Sequence, residues 1–321
     1  MKANAGFYKT DWFLGVVVVL GILVLGRVSG LIPSLERKAY DIGVGMSSRA
    51  PSDKIAIIAI DDASISNIGR WPWPRDVHAK LTDMLAAARV KVIANTVFFF
   101  EPQRDPGLEY INKMLEVYGK LPPAAASAGA MGEMGALLQQ AEAGLNTDRK
   151  LAESYAKAGN ALLPLYLSFG QPQGRPDHPL PDFVKKNLVP GTNSSLLPTL
   201  EVKAPIEALG TVAAGLGALN SLPDADGGYR REPLALGYFN EVLPSFALMT
   251  AARSLNLGVA DIKTEPGVVT LGKLRILTDD QATMLTYYYK DRDGKPAFRK
   301  TRFTMCCRAR FPRENMPTRS S

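Results

Sequence analysis

Two adjacent carboxylates at the end of an apolar segment are the residues of this sequence best placed for chemistry. Asp61 and Asp62 follow a run of β-branched residues, and polar groups at the carboxyl ends of parallel strands face the ligand crevice of an α/β sheet. With Glu101, which follows the next apolar segment, they could bind a divalent cation in an exported metal-dependent enzyme. The alternative that we favour is structural, with both aspartates capping loops and pairing with Arg70 or Arg75.

A rigid aromatic loop follows a few residues further on. Residues 69–75 are Gly-Arg-Trp-Pro-Trp-Pro-Arg, so Trp71 and Trp73 lie between Arg70 and Arg75. Two interpretations are open. The indole rings and the guanidinium groups could stack on a ligand or a partner, or the two rings could fill the top of the sheet, which we favour.

The sequence argues against several other kinds of site. The segment with Asp224 and Asp226 has a Pro at the position where an EF-hand requires Glu, so a tight turn on its Asp-Gly pair is the better interpretation. His78 and His178 are the only histidines; neither lies beside a nucleophile motif, and both are predicted to be solvated. Walker A and dinucleotide-binding glycine motifs do not occur. We therefore expect no catalytic residue, no metal and no cofactor.

The net charge of +7 is concentrated at the C-terminus. The chain has 38 Lys and Arg residues and 31 Asp and Glu residues, and residues 299–321 alone carry a net charge of +6. Both cysteines, Cys306 and Cys307, lie in the same segment. The preceding residues are nearly neutral and free of cysteine, which excludes a disulfide framework there and removes the argument for a nucleic-acid partner.

The basic tail is best explained by a change of reading frame. Back-translation of residues 304–319 in the neighbouring frame allows Tyr-Asp-Val-Leu-Ser-Gly-Lys and onward, a more protein-like peptide than the Cys-Cys-Arg-Ala-Arg at 306–310. We therefore expect residues 299–321 to be a frameshifted tail that truncates a longer receptor. The alternative is a genuine basic segment that binds anionic lipid.

An apolar segment near the N-terminus has the length of a membrane span. Residues 12–32 contain one charged residue, Arg27, and as a helix they would extend about 31 Å, enough to cross a hydrocarbon core of about 30 Å. Lys2 and Lys9 precede the segment, which keeps residues 1–11 in the cytoplasm. We predict an uncleaved signal anchor in the inner membrane and an exported body; a cleaved signal peptide is the alternative.

The exported body has the pattern of an α/β domain. Residues 54–62 and 91–100 are predicted as strands buried on both faces, and the helix between them predicts a parallel, right-handed β-α-β unit. Residues 103–160 predict a helical insertion, and Ser245 is placed to cap a later helix. We therefore predict a central, mostly parallel sheet flanked by helices, behind one N-terminal transmembrane helix.

Several of these motifs occur in a specific order. The anchor is followed by Ile60-Asp61-Asp62, Gly69-Arg70-Trp71-Pro72-Trp73-Pro74-Arg75, Glu101-Pro102, Asp224-x-Asp226-Gly227-x-x-Arg230 and Pro244-Ser245-Phe246-Ala247. Over residues 35–298 this combination resembles the second type of the CHASE family, the extracellular sensory domains of bacterial receptors. One difference is Thr96, at a position where such domains often carry an Asp.

The resemblance implies a periplasmic input module, residues 35–298, that passes a signal through the membrane to a kinase or cyclase. It also implies a homodimer and an extracytoplasmic ligand of unknown identity. This chain would then lack its output domain and would not signal by itself. The alternatives are the exported metal-dependent enzyme and a dimerisation module without a ligand. The candidate ligand-binding residues are Asp61, Asp62, Arg70, Trp71, Trp73, Arg75, Asp224, Asp226 and Arg230.

Overall fold

The computed structural model describes residues 11–28, 30–126, 129–191, 195–291 and 294–308. The chain divides into two compact units, which are described separately. The first contains residues 1–51 and 287–297, and the second contains residues 52–286 and 298–321. Lys2 and Lys9, on which the predicted orientation depends, lie outside the described residues, as do residues 309–321 of the basic tail.

Two helices account for most of the first unit. Helix α1 extends over Asp11–Val28 and helix α2 over Leu31–Met46. Gly30, between them, has a φ of +64°, a left-handed conformation that glycine adopts without steric cost. The predicted span 12–32 is therefore divided between two helices. Within the described residues, the structure contains no helix that meets the length and hydropathy expected of a membrane span.

The second unit is a mixed α/β domain. Its strands in chain order are β1 Ala56–Ala59, β2 Ile93–Ala94, β3 Ala161–Phe169, β4 Leu197–Lys203, β5 Gly215–Ala218, β6 Arg231–Pro233, β7 Ala235–Tyr238, β8 Glu241–Pro244, β9 Ile262–Glu265, β10 Val268–Leu271, β11 Leu274–Leu277, β12 Thr283–Leu285 and β13 Arg299–Arg302. Its helices are α3 Asp62–Ile68, α4 Arg75–Ala87, α5 Pro106–Gly119, α6 Pro123–Ala126, α7 Gly129–Leu145, α8 Thr147–Ala158, α9 Asp182–Lys185, α10 Glu207–Gly210, α11 Phe246–Ser254 and α12 Phe303–Arg308.

The central sheet is organised around β3. In the described chain it has six strands in the order β2-β3-β4-β7-β8, with β5 also pairing with β3. The first half of β3 is parallel to β2 and β5, and its second half is antiparallel to β4. Strand β4 is parallel to β7, and β7 is antiparallel to β8. The sheet is therefore mixed, with parallel pairings only slightly in excess, and β9, β10 and β11 form a separate antiparallel sheet.

The predicted β-α-β unit at the start of the domain is wrong. Strand β1 pairs in parallel with β13, whereas β2 pairs with β3 in another sheet. Strand β1 is not buried on both faces, since Ile57 is 45 % exposed. Strand β2 is short because Asn95 accepts a hydrogen bond from the Val97 amide and donates one to the Tyr155 hydroxyl, and such side-chain bonds compete with strand pairing.

The helical insertion is confirmed. Residues 103–160 form α5, α6, α7 and α8 between β2 and β3. Asn146 separates α7 from α8, and its side chain accepts the Arg149 amide at 3.0 Å and caps α8. Helix α8 packs on α4, and its Leu151 and Tyr155 are fully buried in the main core beside β3. The insertion therefore completes the core on one side of the sheet.

The start of the basic tail is part of the second unit. Arg299–Arg302 forms β13 along β1, and α12 then packs against α3 and α4. Phe303 is 2 % exposed and Cys306 is 1 % exposed. Residues 299–308 therefore contribute to the fold as they stand. The hypothesis of a shifted reading frame is not tested by this packing and stays a prediction.

Candidate functional site

The two tryptophans of the aromatic loop at 69–75 have different roles, one for each of the two interpretations. Trp73 is 2 % exposed, donates its indole N–H to the Gly69 carbonyl at 2.8 Å, and contacts Phe303 at a ring-centroid distance of 4.8 Å. Trp71 is half-buried and meets Trp73 edge to face at 5.2 Å. Trp73 thus fills the core, as the structural interpretation predicts, whereas Trp71 remains accessible. The Trp71–Pro72 peptide bond is cis.

A cavity of about 360 Å³ opens beside this loop, a volume within the range of small-molecule sites. We call it the aromatic cavity. One wall is the loop with Arg75 and His78 at the start of α4, and the other is the segment 96–99 that follows β2. The lining residues are Trp71, Pro72, Trp73, Arg75, His78, Thr96, Val97, Phe98 and Phe99. Arg75 is the only residue among them with a side chain that is charged at all ordinary pH values.

Arg75 is held at the base of the cavity by the segment 99–103 and by α8. Its guanidinium lies over the Phe99 ring, 4.8 Å from the centroid, and donates from Nη2 to the Glu101 carbonyl at 3.0 Å. Its Nε is 3.3 Å from Oδ1 of Asp148, without hydrogen-bond geometry. The predicted pairing of Arg75 with Asp61 or Asp62 is therefore wrong, because α8 brings Asp148 to the arginine instead.

His78 was expected to be solvated, and this prediction is wrong. The side chain is 5 % exposed and is surrounded by the rings of Trp71, Phe99 and Phe303 at centroid distances of 5.4–5.9 Å. Burial, with a further contribution from the positive charge of Arg75, lowers the pKa of His78 to about 4. The imidazole is neutral at pH 7, and its ring nitrogens have no hydrogen-bond partner among the described residues. His178 is exposed, as predicted.

Asp61 has a structural role. Its carboxylate caps α3 by accepting the Ser64 amide at 2.9 Å and the Ser64 hydroxyl at 2.6 Å, and it forms an ion pair with Arg302 at 3.3 Å. The hydrogen bonds from Ser64 are the main reason why the pKa of Asp61 is lowered. Capping is confirmed, but the arginine partner comes from β13 and not from the aromatic loop.

The three carboxylates of the metal hypothesis do not form a cluster. Asp62 is an exposed residue in the first turn of α3, and Glu101 is exposed and contributes its backbone carbonyl to Arg75. Within the described ranges there is no group of three His, Cys, Asp or Glu side chains that could hold a metal ion. Arg70 is exposed and does not line the aromatic cavity.

Asp224, Asp226 and Arg230 form a separate cluster. Arg230 Nη1 is 2.9 Å from Asp224 Oδ2 and 2.8 Å from Asp226 Oδ1. The segment is a tight turn, as predicted: the Gly227 amide donates to the Asp224 carbonyl at 2.8 Å, and Gly227 has a φ of +80°. None of these three residues lines the aromatic cavity. The arrangement indicates that the charges of this cluster hold the turn.

Comparison of the chain with known protein families identifies a match over most of its length. The CHASE2 domain family matches residues 15–314. The chain belongs to the CHASE2 family. CHASE2 domains are extracellular sensory domains without catalytic activity, in agreement with the resemblance found in the sequence and with the expectation that the chain is not an enzyme. Comparisons with curated proteins and with solved structures gave no match.

Several residues of this CHASE2 site were not predicted from the sequence. His78 and Phe303 were missed because α12 and the aromatic loop bury the face of α4 that carries His78, a residue predicted to be solvated. Asp148 was missed because it comes from the insertion. A signal was present for Phe98 and Phe99, since three consecutive phenylalanines end the second apolar segment. The sequence therefore identified one wall of the cavity and left the other undefined.

Proposed function

We propose that this CHASE2 chain is the extracytoplasmic sensory input domain of a bacterial transmembrane receptor, and that the aromatic cavity is its ligand site. The observation that carries the proposal is a cavity of about 360 Å³ lined by Arg75 and by His78, whose ring nitrogens have no hydrogen-bond partner among the described residues. A ligand that supplies hydrogen bonds to these side chains favours the state of the domain that it binds.

We further propose that residues 12–32 anchor the domain in the inner membrane by a single crossing, with residues 1–11 in the cytoplasm and the second unit in the periplasm. The support is the absence of charge between residues 12 and 26 and the exposure of apolar side chains on α1, where Ile22 and Val24 are 64 % and 61 % exposed. Apolar side chains around a whole helix are stable in lipid but costly in water.

Reporter fusions test this topology. Fused after Ser321, alkaline phosphatase is expected to be active and a fluorescent protein that folds only in the cytoplasm is expected to be dark. Deletion of residues 12–32 is the control, and it should reverse both results. A fluorescent fusion of the intact chain would contradict the proposed topology and with it the extracytoplasmic sensor.

We also propose that the domain forms a homodimer. The support is the resemblance to receptors that act as dimers and an exposed apolar stripe on α5, where Tyr110, Met114 and Val117 are 66 %, 46 % and 66 % exposed. Residues at this spacing lie on one face of a helix. Light scattering of the purified chain should give twice the monomer mass of 34.7 kDa, and a monomer at micromolar concentration would contradict the dimer.

A further inference from the structure

The guanidinium of Arg75 has hydrogen-bonding capacity that the protein does not use. Of its five N–H donors, the described residues accept one, through the Glu101 carbonyl. The nearby carboxylate of Asp148 accepts the Gln103 amide at 2.7 Å and forms an ion pair with the Arg75 Nε at 3.3 Å, without hydrogen-bond geometry. The side chain is 15 % exposed and lines the aromatic cavity. The cavity therefore presents a cationic, planar donor to its contents.

The other polar groups of the cavity are neutral. His78 offers one ring nitrogen as a donor and the other as an acceptor, and the indole N–H of Trp71 donates to no described residue. The lining contains no carboxylate that would pair with a cationic ligand, and the charge of Arg75 would repel one. These groups complement a ligand that brings hydrogen-bond acceptors and a negative charge.

The remaining surface of the cavity is aromatic. Phe98 is 38 % exposed and stacks on Phe100 at 4.8 Å, and the half-buried Trp71 also lines the cavity. Aromatic rings prefer offset-stacked or edge-to-face contacts with other rings. A flat, apolar ligand body of modest size fits such walls.

We propose that the aromatic cavity binds a small aromatic carboxylic acid, with its ring against Trp71 and Phe98 and its carboxylate accepting hydrogen bonds from Arg75 and His78. The proposal rests on the proposed function, since it names the ligand class of the same site. Arginine binds carboxylates through paired, charge-assisted hydrogen bonds, and the aromatic walls select the ring.

Calorimetry on the purified full chain in detergent tests the ligand class with three probes of similar shape. Benzoate carries the carboxylate, benzamide is neutral, and benzylammonium is a cation. Benzoate is expected to bind at least about tenfold more tightly than benzamide, because hydrogen bonds to an ionised group are roughly twice as strong as those to a neutral one. Benzylammonium is expected not to bind. Equal affinities for benzoate and benzamide, or binding by none of the probes, would overturn the proposal.

Variants assign the binding to Arg75. Arg75→Met is expected to lower benzoate affinity at least about tenfold, and Arg75→Lys is expected to keep a weaker preference for benzoate, since lysine retains the charge without the planar fork. Arg70→Met is the matched control, because Arg70 is exposed in the same loop and lines no part of the cavity. If Arg75→Met unfolds, Arg75→Lys decides; unchanged benzoate affinity in a folded variant at position 75 would refute the assignment.

The outcomes separate this proposal from the proposed function. An exported domain that binds no benzoate loses only the ligand class proposed for it. A domain that remains in the cytoplasm contradicts the extracytoplasmic sensor even if benzoate binds. The topology fusions can therefore contradict the proposed sensor, and the calorimetry can contradict the proposed ligand class, independently of each other.

Discussion

Glu232 is a half-buried carboxylate for which no described residue provides a salt bridge or a hydrogen bond. It lies on β6 opposite Met284 of β12. Burial raises the pKa of Glu232 to about 7. Because this value is above the unfolded one, the protonated residue contributes stability that is fully present below pH 4.5 and is lost as the pH rises through 7. Alkaline conditions therefore place an uncompensated charge at β6.

We predict that Glu232→Gln raises the free energy of unfolding at pH 8, by up to about 3 kcal/mol, and has little effect at pH 4.5. Chemical denaturation at the two pH values measures the difference. Glu241→Gln on β8 is the control, because Glu241 is exposed. An effect of Glu232→Gln that is the same at both pH values would contradict the role of burial.

His78 contributes a pH dependence of the opposite direction. Its pKa in the folded protein, about 4, is below the unfolded value of 6.5. The neutral, buried ring therefore adds stability that is present above pH 6.5 and is lost as the pH falls towards 4. Between pH 4.5 and 6.5 the two residues oppose each other. For this reason each variant must be compared with the parent at the same pH.

At the scale of elements, close contact between β5 and α11 depends on a glycine. A Cβ at Gly217 would lie 2.7 Å from the Phe246 Cα and 2.8 Å from the Ser245 carbonyl oxygen. These atoms belong to the backbone at the start of α11, where Ser245 caps the helix by accepting the Leu248 amide. Neither side can move without disturbing the cap or the central sheet.

Gly217→Ala is therefore expected to lower the free energy of unfolding by about 2–3 kcal/mol, as overpacking in a core does. Thermal and denaturant unfolding give the measurement. The matched control is Gly258→Ala, since a Cβ at Gly258 would meet nothing within 4 Å. The prediction fails if the two variants are equally stable.

Some features of the helices and turns could be predicted from neighbouring residues alone. Ser245 caps α11 through a bond from the amide three residues away, and the turn at Gly227 needs only the residues beside it. These features were predicted because their causes lie within a few residues. The position of β1 was not predicted, because its partner β13 is more than two hundred residues away in the chain.

At the scale of the whole molecule, the aromatic cavity depends on the start of the basic tail. Phe303 is 2 % exposed and contacts both Trp73 and His78, at centroid distances of 4.8 and 5.9 Å. Removing this ring leaves a hole between α4 and α12. The burial of His78 would be reduced at the same time.

Phe303→Ala is expected to lower the free energy of unfolding by about 3–5 kcal/mol and to move the pKa of His78 up from about 4, because burial is the main cause of its depression. Unfolding curves and the NMR titration of His78 measure the two effects. Arg299→Ala, at an exposed position of β13, serves as the control. A pKa of His78 unchanged in the folded variant would show that Phe303 does not shield it.

The family, the helical insertion, the Ser245 cap, the turn at Gly227 and the importance of the aromatic loop could all be predicted from the sequence, because each depends on local spacing or on ordered motifs. The burial of the neutral His78, the ion pair of Arg75 with Asp148 and that of Asp61 with Arg302 became visible only in the folded chain. Burial and ion pairing could not be predicted because they are set by segments distant in the chain. Here those segments are α8 and the strand and helix at 299–308.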